Sequence, residues 1–103
     1  MATMQYDVFA TQPLTSTGDF LNQNSLAVPR ARIKTIYAVN GTDAGSVVIR
    51  DGSATGPVLL TVNTAAKANA GYTIIPLPGE GILASVGLHG TVTNTTSMVI
   101  FYG

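Results

Sequence analysis

The chain has 103 residues, no cysteine, one histidine, five acidic and five basic side chains and a formal net charge of zero. That length suits one domain, and the counts exclude a disulfide framework, thiolate metal sites and a broad electrostatic grip on nucleic acid. Charged residues make up 10% of the chain, against roughly 25% in an ordinary soluble domain, so something other than charge must cover the exterior.

Short apolar or β-branched runs, cut apart by Gly, Asn and Pro, fill the chain nearly end to end, and no segment of useful length has helical period. The pattern predicts an all-β, single-domain fold over residues 1–103: about eight antiparallel strands in a sandwich with Greek-key or jelly-roll wiring. Met4, Tyr6, Val8 and Ala10 alternate with Gln5 and Asp7 and predict a half-buried first strand. Residues 11–29 are rich in Thr, Asn, Gln and Ser, and they are too many for a hairpin turn. Phe20, Leu21 and Leu26 within them imply an ordered excursion that packs on its own domain or on a neighbour.

Residues 30–39 read as the second strand, with Ala31, Ile33, Tyr37 and Val39 on one face and Arg30, Arg32 and Lys34 beginning the other. Asn40 to Gly45 predicts a turn, residues 46–50 the next strand, and Asp51-Gly52 opens a hairpin to residues 58–62. Residues 64–70 read as one helical turn or a loop. A strand over 72–77, closed by Pro76 and Pro78, belongs at a sheet edge or a strand end. Runs at 82–86, 88–93 and 98–102 supply three more strands, parted by Gly87 and by Asn94 to Thr96.

No catalytic or metal constellation assembles from these residues, and the chain reads as a non-enzyme with no cofactor. His89 lacks partner Cys or His ligands, so it reads as a partly exposed strand histidine. Ser85 precedes it by four residues without the Gly-x-Ser-x-Gly elbow of acyl transfer. Asp43, Asp51 and Glu80 stand in turn contexts that favour local hydrogen bonds, and the 51–56 stretch lacks further acidic ligands for calcium. With no Trp and with the tyrosines in positions that read as buried, glycan stacking is undersupported. Residues 1–11 lack the positive start and apolar stretch of a secretory signal, and no run approaches the ~18 apolar residues of a membrane span, so no membrane role is expected.

Low charge and a net charge of zero point to association, and the chain is expected to form a homo-oligomer or to join a larger assembly; its 14 threonines, which suit the outward faces of strands, leave an uncharged, Thr-coated monomer as the alternative. Arg30, Arg32 and Lys34 hold three of the five cations at alternate positions; they suit phosphate or an acidic protein surface, or a solvated strand face that discourages wrong edge pairing.

The runs GSVVIRDGSATGPVLLTVNT and GYTIIPLPGEGILASVGLHGTVTNTTSMVIFYG resemble small virion proteins of tailed bacteriophages, above all the decoration or cement proteins that stud the head. The likeness spans residues 30–103 and lies in the order of strands and turns. It implies a structural protein on the phage head surface, made in the host cytoplasm, whose partner is the major capsid protein or another virion protein. On this reading Phe20, Leu21 and Leu26 are docking anchors, and Arg30, Arg32 and Lys34 make ionic contacts to the shell. A receptor- or glycan-binding tip domain of a fibre or adhesin is the alternative, with turns 40–45, 51–56 and 94–97 at one end of the sandwich.

Overall fold

Nine strands form two antiparallel sheets in the computed structural model, which describes residues 8–103. They are β1 (Phe9–Ala10), β2 (Gly18–Asp19), β3 (Ala31–Asn40), β4 (Gly45–Asp51), β5 (Val58–Thr64), β6 (Tyr72–Pro76), β7 (Ile82–Ala84), β8 (Leu88–Thr93) and β9 (Thr95–Tyr102). The first sheet runs β1-β9-β3-β6, with β7 beside β6 on the same edge of β3; the second runs β2-β8-β4-β5. Pairing is nested: β1 with β9, β2 with β8, β3 with β6 and β7, and β4 with β5, successive pairs falling in opposite sheets. The chain is thus one long ribbon, closed at the β4–β5 hairpin and rolled upon itself, an all-β sandwich as the sequence predicts. Met4 to Asp7 of the expected first strand lie outside the described residues. Residues 64–70 form a turn, in which Asn69 and Ala70 donate to the Ala66 carbonyl.

The space between the sheets is filled by Ile33, Ile36, Met98 and Ile100 from the first and by Val47, Ile49, Val62 and Leu88 from the second. Burying each of these side chains contributes about 1.5–3 kcal/mol against chain entropy. Simple alternation along β3 expects Tyr37 and Val39 on the side of Ala31 and Ile33. The structure corrects this. The register with β9 slips between Ile33, opposite Tyr102, and Thr35, opposite Phe101. Beyond that bulge Ile36 and Ala38 point inward, while Tyr37 and Val39 point outward. A one-residue slip exchanges the two faces of everything beyond it.

The 11–29 segment is ordered and packs on its own domain. Thr11 and Leu14 hydrogen-bond along the free edge of β9, the Leu14 amide donating to Met98 at 2.8 Å. The chain then crosses to the second sheet, where Gly18 and Asp19 pair with Gly90 and His89. Phe20 turns in between the sheets and is wholly buried. Space for its ring exists because Gly90 carries no Cβ; one added there would lie 2.9 Å from Phe20 Cε2.

Candidate functional site

The residues singled out for docking fall in three different places. Phe20 is a core residue, so it is no anchor for a partner: its ring is the largest wholly buried side chain, and no face of it is left for docking. Leu21 is half-buried at a bridge to Ala27. Leu26 alone of the three stands out, 64% exposed at the tip of a short hairpin. That tip is rigidly made: Asn22 donates its amide to the Leu26 carbonyl at 2.7 Å, and its Oδ1 accepts from the amides of Asn24 and Leu26. Ser25 takes a φ of 64°, a left-handed turn position that a short polar residue tolerates more readily than a branched one.

The cationic stripe is divided. Arg30 is exposed ahead of β3 and lines a cleft of about 420 Å³ with Phe9, Asn22, Gln23, Pro29 and Tyr102. The Phe9 and Tyr102 rings lie 5.7 Å apart there. Arg32 stands opposite Leu83, half-buried. Lys34 falls at the bulge and reaches Glu80 at 3.7 Å beside a second cleft, of about 470 Å³, that includes Val8, Thr35 and Phe101. With Glu80 almost fully in water this pair contributes at most about 1 kcal/mol.

His89 is buried, a correction to the exposed strand histidine expected above. Its Nδ1 lies 2.8 Å from Asp19 Oδ1, and its Nε2 is buried without a partner among the described residues. The contact joins the crossing segment to β8 and so holds the 11–29 excursion against the second sheet. Among the described residues no three His, Cys, Asp or Glu side chains converge.

Asp51 departs from the local turn role expected of it. Its two carboxylate oxygens accept the amides of Ser85, Val86 and Gly87, at 2.9, 2.8 and 3.2 Å, across more than thirty residues of chain. That contact also ends β7 at Ala84, two residues short of the predicted strand, because the next amides turn toward the carboxylate. The Val86 amide foremost, then Ser85 and Gly87, hold the Asp51 carboxyl below its ordinary value of 3.8, against an opposing effect of burial. A carboxyl depressed in the native state stabilises the fold above its unfolded value, near 3.9, and that contribution is lost as pH falls through the lower native value. We therefore expect Asp51→Asn to lower the urea midpoint at pH 6, and the gap to wild type to shrink as pH drops from about 4 toward 2.5. A gap that stays constant over that range removes Asp51 from the acid response.

The outer faces of the two sheets differ in chemistry. Across the second sheet the outward rows read Thr93, Ser46, Asn63 and Thr91, Val48, Thr61. Across the first they read Val99, Tyr37, Ile74 and Ser97, Val39, Tyr72. Tyr72 is 58% and Ile74 54% exposed, and the Tyr37 and Tyr72 rings lie 6.0 Å apart. Strand alternation in the sequence puts both tyrosines inside; the bulge in β3 brings Tyr37 out, and β6 presents Tyr72 on the same face. The one available signal was the run Tyr72 to Leu77, apolar on both of its faces although its prolines mark a sheet edge. Comparison with protein-family models, with curated proteins and with solved structures finds no match to this chain.

Proposed function

We propose that this protein is a non-enzymatic structural component of a phage virion, a decoration or cement protein that binds the head and stabilises it across subunit junctions. The observation that carries the reading is Leu26: a large apolar side chain held out in water at the end of a hairpin whose backbone is already fixed. A preordered apolar tip loses little conformational freedom on docking, which is what adhesion at a fixed shell site requires. Arg30, near the foot of that hairpin, supplies an ionic contact at the rim, while Leu21 braces the tip from below. The low charge and the nested double-sheet wiring, which is like the jelly rolls of viral capsid and lectin domains, support the same reading.

Excising the segment is a poor test, since Phe20, Leu14 and Thr11 belong to the fold. The sharper one is Leu26→Asp, with Arg30→Glu as its companion. Both leave the free energy of unfolding within about 0.5 kcal/mol of wild type, as surface substitutions do, while binding to purified heads falls by at least about 30-fold for Leu26→Asp. Full binding by a folded Leu26→Asp protein removes the tip from the contact.

A second reading, a glycan- or receptor-binding tip domain, is favoured by the cleft beside Arg30, where two aromatic rings meet the amides of Asn22 to Asn24. Binding on a glycan array that is lost with Phe9→Ala, together with no affinity for heads, selects it.

A further inference from the structure

We infer that the outer face of the first sheet, formed by Tyr37, Val39, Tyr72, Ile74 and Val99, is the seat of a second copy of this chain in a two-fold dimer. The inference shares with the assembly reading the premise that the chain works by contact, but it uses the opposite side of β3 from the core and a surface separate from Leu26.

Three observations select a second copy as the occupant. The first is charge. The five side chains carry none, and the protein as a whole is neutral, so two copies approach without repulsion. The cations nearest the face, Arg32 and Lys34, lie toward one end of β3. A two-fold axis between the faces, running across the strands at Tyr37, sends each Lys34 to the opposite end from its counterpart. Three residues of strand on either side of the axis set them about 20 Å apart along the strand, well beyond the ~8 Å over which charges are felt in physiological salt.

The second is area. The five strands of this sheet hold 28 residues, and at about 3.3 Å of rise and about 4.8 Å of spacing each they give a face of roughly 440 Å² in projection. With side-chain relief that comes near the ~600 Å² per partner at the lower end of specific interfaces, the range of a reversible dimer.

The third is shape and chemistry together. A twisted sheet face packs best on another of the same twist, about 10 Å away and turned by about 30°, and an isologous contact asks only that the surface complement itself. An uncharged aromatic and β-branched face does so. A sugar would need hydrogen-bonding groups around the Tyr37–Tyr72 pair, and its nearest cross-strand neighbours are Val39, Ile74 and Val99 instead. On the outer face of the second sheet Val48 stands alone among Thr91, Thr61, Ser46, Thr93 and Asn63, and that face stays toward water.

Sedimentation velocity on the full chain from about 1 to 200 µM tests the inference, with Ile74→Lys, Tyr72→Ser and, on the other sheet, Thr61→Lys compared with wild type. Wild type sediments as a dimer; Ile74→Lys raises the dissociation constant at least about 100-fold, Tyr72→Ser by about tenfold, and Thr61→Lys leaves it unchanged. Both face residues are more than half exposed, so the variants fold, and circular dichroism confirms it. A wild-type monomer at the highest concentration overturns the inference, and so does a dimer indifferent to Ile74→Lys. Head binding measured on the same proteins keeps the two ideas apart: a monomer that still binds heads through Leu26 refutes the dimer and leaves the decoration reading standing. A dimer with no affinity for heads does the reverse.

Discussion

Replacing Phe20 with alanine is expected to lower the free energy of unfolding by about 3–5 kcal/mol, a large part of the roughly 5–15 kcal/mol by which a domain of this kind is stable. The ring is wholly enclosed between the sheets, with Gly90 beneath it, Leu14 close by and Val28 donating its amide to the Phe20 carbonyl. Truncation leaves a void that the neighbouring side chains cannot close, because strands on both sides are fixed by their ladders. Urea titration of Phe20→Ala beside Leu26→Ala makes the contrast direct, since the exposed leucine should change stability by no more than about 0.5 kcal/mol. A loss below about 1 kcal/mol at Phe20 means that the excursion is an attachment to the fold and not part of its core.

Gly81→Ala is expected to cost about 2–4 kcal/mol, from two penalties at one atom. Gly81 has a φ of 84°, in the left-handed region that a side chain disfavours. A Cβ there would also run into the carbonyl oxygen of Ile33, a backbone atom that cannot swing aside. The contact falls at the bulge of β3, where the chain turns from β6 to β7 and both strands share one edge. Forcing the corner away loosens β7 first, so hydrogen exchange at Ile82 to Ala84 should accelerate more than exchange in β4 and β5. Gly79→Ala is the control: its φ of 58° carries the conformational cost alone, with nothing near a Cβ, and the smaller loss there isolates the clash.

Much of this architecture could be read from residue order because its signals are local. Leu88 to Thr93 is a strand with the predicted bounds, and the Asp51-Gly52 step does open the hairpin between β4 and β5. The misreadings share one cause: they depend on partners distant in sequence. The bulge between Ile33 and Thr35 is set by the pairing of β3 with β9, and no turn residue announces it. Asp51 looks like a turn aspartate until the amides of residues 85–87 are brought to it, and His89 looks exposed until Asp19 covers its Nδ1. Phe20 and Leu26 are both apolar residues in a polar stretch; only the crossing between sheets makes one a core residue and the other a projecting tip. Of the proposed contacts, then, Leu26 and Arg30 were legible, whereas the apolar face was hidden by the bulge.

Nested pairing sets a timetable for synthesis. The β4–β5 hairpin can close as soon as it is made, but β9 lies between β1 and β3, and Phe9 meets Tyr102. Until that late strand leaves the ribosome, the first sheet is open through its middle and Ile33 and Ile36 have no neighbour on that side. Folding of such remote pairings is slow, and it finishes only after translation has passed β9. A nascent chain of this protein therefore carries the outer row of Val99, Tyr37 and Ile74 unformed until β9 has been made, whereas the hairpin that bears Leu26 needs only residues 21–27 to close.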